Sequence, residues 1–192
     1  MRNPVRSLTV TQLAALALGP PVYAYIRTQR DRLQAQAERL PQRDKDALET
    51  YFSQETLDRV RILIADPLPI SEPPLASTCR RLGFDFPNIS QVEAITFDHV
   101  IACRNAMSRS LLFHELVHVV QYQLLGIGGF ARHYVKSFLA TRSYAAIPLE
   151  QSAFDLQWRY ETEGRPFEVE GEVFRHSQRT YNDQWLRLFG NL

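Results

Sequence analysis

The chain has 192 residues, 45% hydrophobic and 22% charged, which suits one globular domain with its own core and leaves little for a second. Its formal net charge is +1 with both signs interspersed, so it lacks the field that draws nucleic acid or an anionic membrane. Its two cysteines, Cys79 and Cys103, make neither a disulfide framework nor a cysteine zinc site, and two reduced, buried thiols fit at least as well as a single bridge.

No charge occurs from Ser7 to Ile26, behind Arg2 and Arg6, which is the outline of a signal peptide or anchor. Thr9, Thr11 and Gln12 dilute that stretch, Gly19-Pro20-Pro21 breaks it, and "LAALALG" is short for a bilayer span. The favoured reading is a short amphipathic helix followed by a second helix opening at Pro21. That reading disfavours membrane association through the N-terminus and slightly favours a cytoplasmic over an exported protein. "VYAYIRTQRDRLQAQAERL" then continues with good helix formers as far as Pro41, and "RDKDALETYFSQETLDR" predicts a further helix. "VRILIA" reads as a buried strand ended by Asp66-Pro67, and "DPLPISEPPL", with four of the eleven prolines, as an extended loop. "QVEAITFDHVIAC" predicts a second strand with Ile95, Phe97, His99 and Ile101 on one face.

Ser108 or Ser110 can cap the next helix and Gly126 can end it. Gly128-Gly129 reads as a flexible turn, "FARHYVKSFLA" as a helix of about three turns, and "TRSYAA" as a loop. Pro148 suits the first position of a last long helix, "PLEQSAFDLQWRYETEG". The tail from Arg165 is expected to pack back on the body through Phe167, Trp185 and Phe189.

The helix after Ser108 carries "LLFHELVHVVQYQLLG". His114 and His118 are four apart and project from one face, one turn apart, so their imidazoles can take two corners of a tetrahedral Zn²⁺ site. Glu115 lies about 100° around the helix from His114, beside the metal, where it can take a proton from an activated water. The flanking Leu111, Leu112, Val117, Val119 and Val120 predict burial, which is costly for two histidines and a glutamate that lack partners. A third ligand must come from elsewhere in the chain. Glu150, in the first turn of the helix after Pro148 and with small Ala153 one turn on, is the first candidate; His133, His176 and Asp155 are alternatives. Asp155 is also a candidate acceptor to orient a ligand histidine. For a hydrogen-bond donor to a developing oxyanion the candidates are Tyr144, then Tyr134 and His176.

"HELVHVVQ" followed at a distance by "IPLEQSAFD" resembles the gluzincin clan of zinc metallopeptidases, and the HELxHVxQ form resembles small bacterial metallopeptidase-like domains. The resemblance covers about Val92 to Tyr160. It implies an α+β zincin-like fold, mostly helical, with a small sheet beside the HExxH helix. It implies zinc on His114, His118 and Glu150, Glu115 as general base, and a peptide or protein substrate paired in extended form along an edge strand. The gap from His118 to Glu150 is longer than in thermolysin-like members, and the spacing from Glu150 to Asp155 also differs. Residues 1–59 are then an N-terminal helical segment and residues 60–192 the zincin-like metallopeptidase domain, together one compact unit. Two rival readings are a metal-binding structural or interaction module without turnover, and a helical interaction domain with no metal.

Overall fold

A computed structural model of the chain describes residues 10–178. The fold is α+β, mostly helical, with one small four-stranded sheet. Helix α1 (Val10–Gln34) is followed by β1 (Glu38–Arg39), α2 (Gln42–Leu48), α3 (Gln54–Arg59) and β2 (Arg61–Ile64). After the proline-rich loop come α4 (Ala76–Arg81), a single 3₁₀ turn at Ile89–Gln91, β3 (Ala94–Phe97), β4 (Val100–Cys103), α5 (Arg109–Thr141) and α6 (Pro148–Thr162). A last helix, α7, covers 169–178. The strand order is β1-β2-β4-β3, with β2 and β4 parallel and the outer pairs antiparallel.

Four sequence expectations change. The N-terminal stretch is one helix, α1, running through Pro20 and Pro21, where two helices were expected. The two missing N–H groups are adjacent, so the loss is confined to one turn, and packing against α5 and the sheet outweighs it. "RDKDALETYFSQETLDR" divides into α2 and α3, because the Ser53 hydroxyl accepts from Thr56 N at 3.3 Å and starts a new helix. The strand predicted through "QVEAITFDHVIAC" is a hairpin, β3 and β4, turning at Asp98-His99 with Asp98 at φ 60°. Pairing of Ile95 with Ala102 and Phe97 with Val100 puts these four on one face; Thr96 and Ile101 lie on the other, and His99 sits in the turn. Apolar residues run straight through this region, so the alternation hides the turn. Finally, Gly128-Gly129 is helical: the break in α5 is confined to Gly126, at φ 64° and ψ 165°, and the helix resumes at once.

The Asp98 turn is fixed by charge. Its buried carboxylate accepts from Arg30 Nη1 of α1 at 3.2 Å and Arg59 Nη2 of α3 at 3.1 Å, and lies 3.0 Å from His99 Nδ1. Burial works against ionisation, but His99, Arg59 and Arg30 prevail and hold Asp98 below the usual carboxylate range. The sheet separates two apolar clusters. Ile101 joins Phe52, Leu57, Phe113, Leu116 and Val120, while Phe97, Val100 and Ala102 join Ile26 and Leu33 of α1 and Tyr122 and Phe130 of α5. Phe113 is fully buried, stacked on Tyr160 at 4.5 Å between ring centroids. Phe167 packs against Tyr51 and Phe113; Trp185 and Phe189 lie outside the described residues. Cys79 and Cys103 are both free thiols. Among the described residues no helix is long and apolar enough to cross a membrane.

Candidate metal centre

Ser108 caps α5, its hydroxyl accepting from Leu111 N at 3.1 Å, so the helix is established one turn before His114. Pro148 opens α6 at its first position and places Glu150 in the first turn. α6 packs along α5, and His114, His118 and Glu150 meet in the interior, 5%, 6% and 3% exposed. One donor atom from each lies within 4.8 Å of the others, and among the described residues this is the one such group. The two Nε2 atoms are 3.1 Å apart; Glu150 Oε2 is 3.4 Å from His118 Nε2 and 3.8 Å from His114 Nε2. Donors on a tetrahedral zinc with bonds near 2.0–2.1 Å are separated by about 3.3 Å, so this triangle is close to the size a metal requires.

The hydrogen-bond network assigns the tautomers. Gln121 Nε2 donates to Leu149 O at 2.9 Å, which turns its Oε1 to His118 Nδ1, also at 2.9 Å. Gln157 Nε2 donates to Ser110 Oγ at 2.8 Å and Glu161 Oε1 at 3.2 Å, which turns its Oε1 to His114 Nδ1 at 3.0 Å. An amide oxygen only accepts, so each Nδ1 must carry the proton. With Nδ1 committed, each ring turns its Nε2 to the other ring and to Glu150, whose Oε2 is buried with no hydrogen-bond partner. Three lone pairs converging in a dry interior call for a cation at their centre. A proton is one answer: burial opposes it, but Glu150 and Glu115 favour it and raise His118 to about 9. A metal ion is the other. Burial likewise opposes the charge on Glu150, yet His118, His114 and Tyr144 hold its carboxyl well below the usual range.

Glu115, 5% exposed, is anchored by β3: Thr96 Oγ1 donates to its Oε2 at 2.6 Å. Tyr144 and Tyr134 both neighbour Glu150, their ring centroids 6.4 Å apart. Burial and the Glu150 carboxylate push both phenols far above their ordinary value, so they stay protonated donors. The structure therefore brings together the four motif residues and both candidate tyrosines. Asp155 is corrected: it is exposed on α6, beside Arg159, Arg175 and His176 in a separate small cleft, because five residues carry it round the helix from Glu150. His176 lies in that cleft too, and neither it nor His133 belongs to the donor group. The role considered for Asp155 is taken by Gln157 and Gln121. Their signal was spacing: Gln157 is two turns beyond Glu150, and Gln121 one turn beyond His118.

Glu115, His118, Tyr144 and Glu150 border a cavity of about 260 Å³ whose other walls are largely apolar. The edge strand β3 lines it, as do α1 and the second half of α5. No known family model, curated protein or solved structure matches the chain.

Proposed function

We propose that this chain is a zincin-like zinc hydrolase that cleaves peptide bonds, with His114, His118 and Glu150 as the metal ligands. The observation that supports it is the convergence of three lone pairs in a buried site, with a second acidic residue, Glu115, at its side. Two imidazoles and one carboxylate are a donor set used by catalytic zinc, which leaves a position open. Bound there, zinc would supply Lewis acidity, polarising a substrate carbonyl and acidifying water. Glu115 takes the proton from the attacking water and delivers it to the leaving amine. Thr96 holds the Glu115 carboxylate in place for both transfers. Tyr144, kept protonated, donates to the developing oxyanion.

The test is metal content by mass spectrometry alongside cleavage of a fluorogenic peptide library. Wild type should hold about one zinc per chain, and His118→Ala and Glu150→Ala should lose it. Glu115→Gln should keep zinc and lose hydrolysis; turnover that survives this change rules Glu115 out as the base. The deep burial of all three ligands also favours a second reading, a metal-binding structural or interaction module. That reading predicts zinc in wild type and no cleavage of any peptide.

A further inference from the structure

Behind the metal centre a chain of hydrogen bonds leads from His114 to the surface. His114 Nδ1–H donates to Gln157 Oε1 at 3.0 Å, and Gln157 Nε2 donates to Ser110 Oγ at 2.8 Å and to Glu161 Oε1 at 3.2 Å. Ser110 Oγ donates to the same Glu161 oxygen. Every donor in the chain therefore leads towards one carboxylate, and that residue is exposed. Hydrogen bonds aligned in one sense polarise one another, so the charge on Glu161 is felt at the imidazole. Ser110 and Gln157 hold the Glu161 carboxyl below the ordinary range, which keeps it ionised. The path behind His118 ends differently: Gln121 passes it to the Leu149 carbonyl, which is neutral. Glu161 is also poorly placed for an ordinary surface acid. It lies in the last turn of α6, where the helix dipole disfavours negative charge. A ligand histidine often gives its second N–H to a carboxylate, which fixes the ring and makes the other nitrogen a better donor. Here that carboxylate stands one amide further out.

Resting on the reading that the triad binds metal, we propose that Glu161 is a positioning residue of the metal centre: through Gln157 and Ser110 it orients His114 and strengthens the bond His114 makes to the ion, while touching neither. A surface acid thus sets how tightly a buried ion is held. The two histidines are then unequal, with His114 the stronger ligand.

The same contact fastens α5 to α6, so the test separates metal affinity from stability. Zinc alone is titrated into the full chain against a competing chelator, and the zinc-free chain is unfolded in urea. Glu161→Gln keeps an acceptor and removes the charge; zinc affinity should fall about two- to fivefold. Glu161→Leu removes both and should weaken zinc about tenfold, the lower end of the range for partners that touch a ligand. Gln157→Glu combined with Glu161→Gln moves the carboxylate onto His114 at constant net charge. That double variant should bind zinc about 10- to 100-fold tighter than Glu161→Gln alone. In the zinc-loaded chain the Nδ1–H proton resonance of His114 should shift in Glu161→Gln, while that of His118 stays. Affinity unchanged in Glu161→Leu, with wild type holding zinc, overturns the inference and leaves the metal reading intact, whatever the urea midpoint does. A double variant that binds no tighter than Glu161→Gln overturns it too. A wild type that takes up no zinc overturns the metal reading, and the positioning role with it.

Discussion

Gln121 and Gln157 do more for the site than fill space. Each gives its amide oxygen to the Nδ1 of one histidine of the donor group, and each has its amide nitrogen committed elsewhere, so neither can flip. Replacing either by leucine keeps the volume and removes the bond that fixes the ring; zinc affinity should fall about 10- to 100-fold, read by chelator competition. Asp98 makes a second prediction at this scale. Its folded pKa is depressed below the ordinary 3.8, so its contribution to stability is complete above that value and is lost as pH falls through the lower, folded one. The chain should lose stability in acid, and Asp98→Asn should be less stable at pH 7 by about 1.5 kcal/mol, since the two arginines it leaves are partly solvated, but flatter across the acid range, measured by denaturant titration. Residues whose task is set by a single helix were legible in sequence: His114, Glu115 and His118 follow from spacing alone. Glu150 followed from a helix start at Pro148. Asp98 and Gln157 were not legible as partners, because their bonds depend on what other elements bring to them.

Helix α5 shows how one backbone setting shapes an element. At φ 64° and ψ 165° Gly126 occupies a region essentially closed to residues with a Cβ. The bend it makes separates the half carrying the histidines from the half carrying Phe130, Tyr134 and Leu139, which wall the cavity. Gly126→Ala has open space around the new carbon, so its cost is conformational alone: about 1–3 kcal/mol, seen as a lower midpoint in urea with the m-value unchanged. The glycine was readable as a helix end, but immediate resumption was not, since Gly128-Gly129 resembles a loop until packing against α1 is known. The same limit hid the β3–β4 hairpin. Phe97, Val100 and Ile101 are apolar whether or not the chain reverses between them, and the reversal is held by Arg30 and Arg59 from distant helices.

At the scale of the molecule the donor triad spans two helices. His114 and His118 belong to α5 and Glu150 to α6, so an ion bound by all three joins two helices that otherwise meet through side-chain packing and the hydrogen bonds of Gln121 and Gln157. An ion that binds the folded chain and not the unfolded one adds its binding energy to stability, about 4 kcal/mol when free metal is a thousand times Kd. In a chain of this length each kcal/mol moves Tm by about 2–4 °C. A strong chelator is therefore expected to lower Tm by about 10 °C, and returning zinc should restore it. Glu150→Ala should melt near the chelated wild type and ignore the chelator. Glu115→Gln should keep the full chelator response, since it leaves the donor set untouched. A wild type that carries one zinc yet melts at the same temperature with and without chelator would mean the ion sits elsewhere, and that the three lone pairs are closed by the proton on His118 instead.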